Sequence, residues 1–277
     1  MEEFLEAAVL GVVQGLTEFL PISSTGHLIL TSELLGIDED RFGLRFDAAI
    51  HLGTLAAVLV YFRVTVLRLI GAWCASIPAR DWQHTPDSKL AWLLVLGTIP
   101  AGLAGLALES VVEDELRDPA IVGAMLILFC LPMVAAERYG ARRREVKDAG
   151  VVDAIGVGVA QAVALIPGVS RSGITISAGM FAGFKREEAA TFAFLLSAPV
   201  IAAAGGKQVF DLLRGEDGSA AASLDVYVVG LVTAGIVGYA AVAFLLRYLR
   251  TNTLYPFVVY RVALGLLVLG LVAAGVL

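Results

Sequence analysis

The sequence predicts an all-α, polytopic integral membrane protein with two inverted-topology halves, each a re-entrant helical hairpin followed by three transmembrane helices. Three observations carry that prediction. First, 58% of the 277 residues are hydrophobic and 17% are charged, and the mean hydropathy is +0.83, well beyond what the core of a soluble domain needs. Second, apolar runs able to cross a hydrocarbon layer of roughly 30 Å recur along the whole chain, which leaves a single membrane domain over residues 1–277. Third, two apolar regions are each broken by a polar segment, and the two breaks resemble one another.

The first broken region, 4–35, is interrupted by PISSTGH, which is too polar to face lipid. Irregular backbone survives at membrane depth only where protein or a water-filled cavity satisfies it, so this region is expected to enter and leave on one side. Crossings follow at 48–77, 90–108 and 119–136. The second broken region, 152–184, is interrupted by PGVSRSG and is followed by crossings at 188–205, 226–246 and 254–277. The N-terminus, MEEFLEAAVLGVVQG, carries acids where a signal peptide carries bases, so it is expected to be retained. Cys74 and Cys130 lie in apolar runs without the spacing of a metal site or a disulfide framework.

The repeat rests on a constant offset: Gln14 and Gln161, Ser23 and Ser170, Gly26 and Gly173 are each 147 residues apart. The pseudo-repeats span 1–140 and 150–277. An odd number of crossings per half inverts the second half relative to the first, as in secondary transporters. Threading the chain this way places 13 of the 20 basic residues on one side and five on the other, with Arg171 and Arg261 left in the membrane. Acidic stretches such as Asp38-Glu39-Asp40 and Glu113-Asp114-Glu115 fall on the poorer side. The positive-inside rule then makes the basic side cytoplasmic, with both termini and the mouth of the first hairpin outside a cell (plasma) membrane.

Ionisable groups at membrane depth are costly, which singles out Glu18, His27 and Arg171. Gln14 and Glu18 share a helix face, and a carboxylate with an amide oxygen suits a hard divalent cation, Mg2+ or Ca2+. A plain hydrogen-bonded Glu–Gln pair is the alternative. In PISSTGH the proline stops one helical arm, and Ser23, Ser24 and Thr25 can cap the next, so the orphan N–H groups around Ser23, Thr25 and Gly26 can receive phosphate. His27 follows Ser24 by three residues, the spacing of a nucleophile and its base, although caps and a buried histidine would read the same way. Arg171, flanked by Ser170 and Ser172 and followed by Gly173, is the expected diphosphate clamp, or else a counter-ion to Glu18. His51 and Arg261 are weaker candidates for the same cavity.

At these residues the sequence resembles the undecaprenyl-diphosphate phosphatase family of the bacitracin-resistance type, through QGLTEFLPISSTGH and PGVSRSG in the family's order and spacing. The resemblance covers nearly the whole chain. It implies a membrane enzyme that removes the terminal phosphate of undecaprenyl diphosphate to give the monophosphate carrier lipid, with a divalent cation and an active site opening to the outer face. It further implies that Glu18 helps bind metal and diphosphate, Ser24 is the nucleophile, His27 assists proton transfer and Arg171 holds the phosphates. Gln14 stands where many members have Glu. The expected partners are the polyprenyl diphosphate lipid, membrane lipids and, as a homodimer, a second copy of the chain; no nucleic acid is expected. A lipid-phosphate transporter or flippase is the rival reading, because inverted repeats with broken helices also serve alternating access.

Overall fold

A computed structural model describes residues 1–38, 42–114, 116, 118–214 and 223–277. Glu39, Asp40, Arg41, Glu115 and Arg117, whose charges enter the expected topology, lie outside the described residues. The described chain is predominantly α-helical: α1 (Glu2–Phe19), α2 (Ser24–Leu35), α3 (Leu44–Tyr61), α4 (Arg63–Ala79), α5 (Pro86–Asp114), α6 (Pro119–Leu128), α7 (Cys130–Tyr139), α8 (Val151–Val163), α9 (Arg171–Phe181), α10 (Arg186–Arg214), α11 (Leu224–Leu249) and α12 (Tyr255–Ala273).

Among the described residues, five stretches are long and apolar enough to cross a bilayer: Pro86–Leu108, Pro119–Tyr139, Arg186–Lys207, Leu224–Leu249 and Tyr255–Ala273. These match five of the six expected crossings. The expected crossing at 48–77 is instead two helices, α3 and α4, bent by 84° where they meet. Phe62 makes the corner with φ −94° and ψ 18°. Its N–H still reaches the Val58 carbonyl, and the Arg63 guanidinium donates to the Val60 carbonyl, so the polar groups at the bend are satisfied without a proline or glycine.

The two broken regions fold alike. In each, a helix stops, the chain turns, and a second helix starts from a serine cap: α1 and α2 around Ser23, α8 and α9 around Ser170. Each leading arm packs closely on a crossing helix through glycine. A Cβ at Gly11 would stand 2.6 Å from the Gly230 carbonyl oxygen of α11, and one at Gly158 would stand 2.2 Å from the Gly97 carbonyl oxygen of α5. Small residues let membrane helices approach this closely because packing, not water exclusion, drives their association.

At one end of the bundle, the buried Glu137 gathers four donors. Its Oε1 accepts from Arg186 Nε and the Leu254 N–H, both at 2.8 Å, and its Oε2 accepts from Arg142 Nη1 at 3.1 Å and Arg186 Nη2 at 2.5 Å. The carboxylate thereby pins the start of α12 to α7 and α10. This register matters below, because α12 reaches both breaks.

Candidate active site

The local backbone of the two breaks is nearly identical. Ser23 has φ 75° and ψ 98°, and Ser170 has φ 74° and ψ 106°. Both are non-glycine residues at positive φ, a conformation costing on the order of 1–3 kcal/mol that persists only where its surroundings enforce it. Each serine hydroxyl caps its helix, Ser23 Oγ accepting from the Gly26 N–H at 3.4 Å and Ser170 Oγ from the Gly173 N–H at 3.1 Å. The first N–H groups of α2 and α9 have no acceptor within their own helices, so both helix starts are anion-attracting.

The breaks meet. Ser172 Oγ donates to the Leu20 carbonyl at 2.9 Å, tying the second break to the end of α1, and lies 3.3 Å from Ser170 Oγ. Arg171 Nη2 reaches Glu18 Oε1 at 2.8 Å across the same junction. Glu18 is buried in the last turn of α1, its side chain 3% exposed, whereas the Arg171 side chain is 23% exposed. The bridge occupies one edge of the guanidinium, and its remaining N–H donors are open to a phosphate.

Glu18 is the hub. Ser24 Oγ donates to Glu18 Oε2 at 2.7 Å, and Gln14 Nε2 donates to the same oxygen at 3.1 Å. His51 Nε2, from α3, lies 3.5 Å from it. The His51 Nδ1–H donates to the Asp47 carbonyl at 2.6 Å, which leaves the Nε2 side of the ring to face the carboxylate. The sequence reading ranked His51 low, yet it touches the central carboxylate. No local spacing could have placed it there, since it arrives on a separate helix.

The expected Ser24–His27 pair is corrected by this geometry. Ser24 is the first residue of α2, and helical side chains lean toward the N-terminus, so its hydroxyl turns back to the end of α1 rather than down its own helix. His27 Nδ1 instead donates to the Ser23 carbonyl at 2.7 Å, and His27 Nε2 meets the Tyr260 hydroxyl at 2.7 Å. Thr25 and Gly26 lie beside Ser24 at the same helix start, Thr25 half-buried and Gly26 buried. Arg261 is fully buried and donates from Nε to the Leu126 carbonyl and from Nη2 to the Gly168 carbonyl. Gly168 sits at φ +90°, where a Cβ would stand 2.6 Å from the Val122 carbonyl oxygen, so the second break needs glycine at this point.

Among the described residues, no group of three or more His, Cys, Asp or Glu could hold a metal ion by itself. Glu18 is already engaged on both oxygens, while Gln14 Oε1 is buried without a hydrogen-bond partner. Such a donor set suits a cation that arrives with its own anionic ligands better than one caged by protein.

Chemically, the arrangement supplies a hydroxyl on a buried carboxylate, a guanidinium beside it and two helix starts, all converging at one junction. Comparison with known proteins bears on what passes through it. The family model described as bacitracin resistance protein BacA matches residues 7–267. A protein named undecaprenyl-diphosphatase from Rubrobacter xylanophilus is 45% identical over 271 residues, covering 98% of this chain and 99% of its own. One of the same name from Kineococcus radiotolerans is 45% identical over 273 residues, covering 99% and 95%. A third, from a Nocardioides species, is 43% identical over 277 residues, covering 100% and 99%.

Proposed function

The chain belongs to the bacitracin resistance protein BacA family, and from that premise we propose that it is an undecaprenyl-diphosphatase, a multi-pass membrane hydrolase that converts a polyprenyl diphosphate to the monophosphate carrier lipid. The observation that carries this reading is the Ser24 hydroxyl held 2.7 Å from a carboxylate that is itself bridged to Arg171. Phosphate binding alone, as a transporter needs, would not call for a hydroxyl seated on a buried base.

In this proposal the diphosphate settles between the starts of α2 and α9, with Arg171 and the free N–H groups on its oxygens. Ser24 Oγ attacks the terminal phosphorus and passes its proton to Glu18. The bond from that phosphorus to the bridging oxygen breaks, and the polyprenyl monophosphate leaves with the electron pair. Water then attacks the phosphoseryl group, the Oγ–P bond breaks, and Glu18 returns its proton to Oγ. His27, one turn deeper on α2, accepts the proton from the water at Nε2 as the Tyr260 hydroxyl turns off that nitrogen. Gln14 Oε1 and Glu18 are the protein oxygens that would meet a divalent cation, Mg2+ or Ca2+, brought in on the diphosphate. Such an ion supplies charge compensation on the phosphate oxygens.

The test is phosphate release from a polyprenyl diphosphate by purified protein in detergent, where no gradient exists to drive transport. Release with a stoichiometric monophosphate product supports the enzyme, and tight binding without release would favour the transporter.

We further propose that the site opens to the outer face of the cell membrane. The support is the segregation of basic residues, 13 of the 20 to one side. Cysteine introduced near Asp38 is expected to react with an impermeant thiol reagent in sealed cells, and cysteine near Arg143 is not; labelling near Arg143 would reverse the orientation.

A further inference from the structure

Tyr260 and Arg261 are neighbours on α12, and each reaches a different break. Arg261 donates to the Gly168 carbonyl at 2.9 Å in the second break, and its Nε holds the Leu126 carbonyl at 3.1 Å. With the Leu254 N–H fixed on Glu137 at 2.8 Å, α12 is locked in register at two points. That lock sets the Tyr260 hydroxyl 2.7 Å from His27 Nε2, with the two rings within 8° of parallel.

The hydrogen bonds also fix where the His27 proton resides. The Ser23 carbonyl can only accept, so the imidazole nitrogen 2.7 Å from it, Nδ1, carries the hydrogen. In the neutral ring Nε2 then holds a lone pair, and the Tyr260 hydroxyl donates to it. A tyrosine from the far end of the chain thus occupies the basic nitrogen of the histidine that follows Ser24.

We propose that Tyr260 is a positioning residue for the reaction. Its hydroxyl, the donor to Nε2, fixes the orientation of the neutral ring that the Ser23 carbonyl holds as the Nδ1–H tautomer, and through Arg261 the same helix keeps that nitrogen in step with the second break. The inference rests on the hydrolase reading for its kinetic consequence but not for its structural one. Among the described residues, the titratable and charged side chains facing His27 are Tyr260 and Arg261 on α12; the Glu18 carboxylate of α1 is engaged by Ser24 and Arg171, and α6, which also packs on α2, carries none between Pro119 and Leu128. Deleting the hydroxyl removes a donor to the neutral form, so His27 protonates more readily and the acid limb of the rate profile moves to higher pH.

The experiment compares the full-length wild type with Tyr260→Phe, which keeps the ring, and with Tyr255→Phe, a half-exposed tyrosine on the same helix, as control. Phosphate release is measured against pH, and 15N NMR resolves the tautomers; the chain has only three histidines, so the His27 signals are assigned by single replacement. In Tyr260→Phe, kcat is expected to fall about tenfold with KM within about twofold. The acid limb is expected to rise by about one pH unit, the equivalent of that tenfold change. The wild-type spectrum is expected to show Nδ1 protonated, and Tyr260→Phe to keep that tautomer with the Nε2 signal shifted by the loss of its donor, while Tyr255→Phe changes neither. An Nε2-protonated His27 in the wild type, or a Tyr260→Phe enzyme with wild-type pH profile and His27 shifts, overturns the proposal. A wild type that shows the expected tautomer but releases no phosphate overturns the hydrolase reading and leaves the positioning of His27 supported.

Discussion

Replacing Ser24 by alanine is expected to lower turnover by about 10⁴-fold or more while substrate binding persists. The change deletes the attacking atom and its hydrogen bond to Glu18 and leaves the rest of the junction in place, since the cap of α2 is the Ser23 hydroxyl and the Arg171–Glu18 bridge does not pass through Ser24. Adding Glu18→Gln to Ser24→Ala should cost little further turnover, because a carboxylate that accepts the serine proton has no use once the hydroxyl is gone. Single-turnover kinetics beside equilibrium binding of the prenyl diphosphate check both statements. A Ser24→Ala protein with more than about a tenth of wild-type turnover would retire the phosphoseryl route, since tenfold is only about 1.4 kcal/mol of barrier.

The second large effect concerns the buried ion pair. Glu18→Gln and Arg171→Gln are each expected to reduce turnover by about 10³-fold, the first by removing the base and the second by removing the guanidinium that holds the phosphates. Each also leaves a charge at the junction without its 2.8 Å partner, a loss on the order of 1–3 kcal/mol for a pair whose arginine is partly exposed. The double variant should therefore be more stable in detergent than the sum of the two singles, with a coupling of about 1–3 kcal/mol, yet no more active than either. Strict additivity in thermal unfolding would mean that the two side chains do not share a bridge in the folded protein.

Much of this site could be read from sequence because it is built from local motifs. The membrane cost singles out Glu18 and Arg171 and the constant offset pairs Ser23 with Ser170; in the fold the two breaks meet through the Arg171–Glu18 bridge, and the two serines share an unusual positive-φ backbone. What spacing missed follows from direction and distance. Ser24 and His27 are three apart, but the rule that such residues meet holds along a helix surface. At the first residue of α2 the hydroxyl leans back across the break to Glu18. His51 and Tyr260 come from α3 and α12, far along the chain, and no local pattern connects them to Glu18 or His27. The bend at Phe62 was hidden for the opposite reason. The run 48–77 has no proline or glycine at the corner, where Arg63 follows Phe62, so only tertiary packing shows that α3 and α4 are separate helices.

The central claim, that two half-helices assemble a serine nucleophile on a buried carboxylate, is tested most directly by trapping the intermediate. The purified protein is mixed with polyprenyl diphosphate labelled at its terminal phosphate, quenched within a turnover, and mapped by mass spectrometry. The account predicts one labelled peptide carrying phosphate on Ser24, stable to acid and absent from Ser24→Ala. Label on His27, lost in acid and still formed by Ser24→Ala, would contradict it.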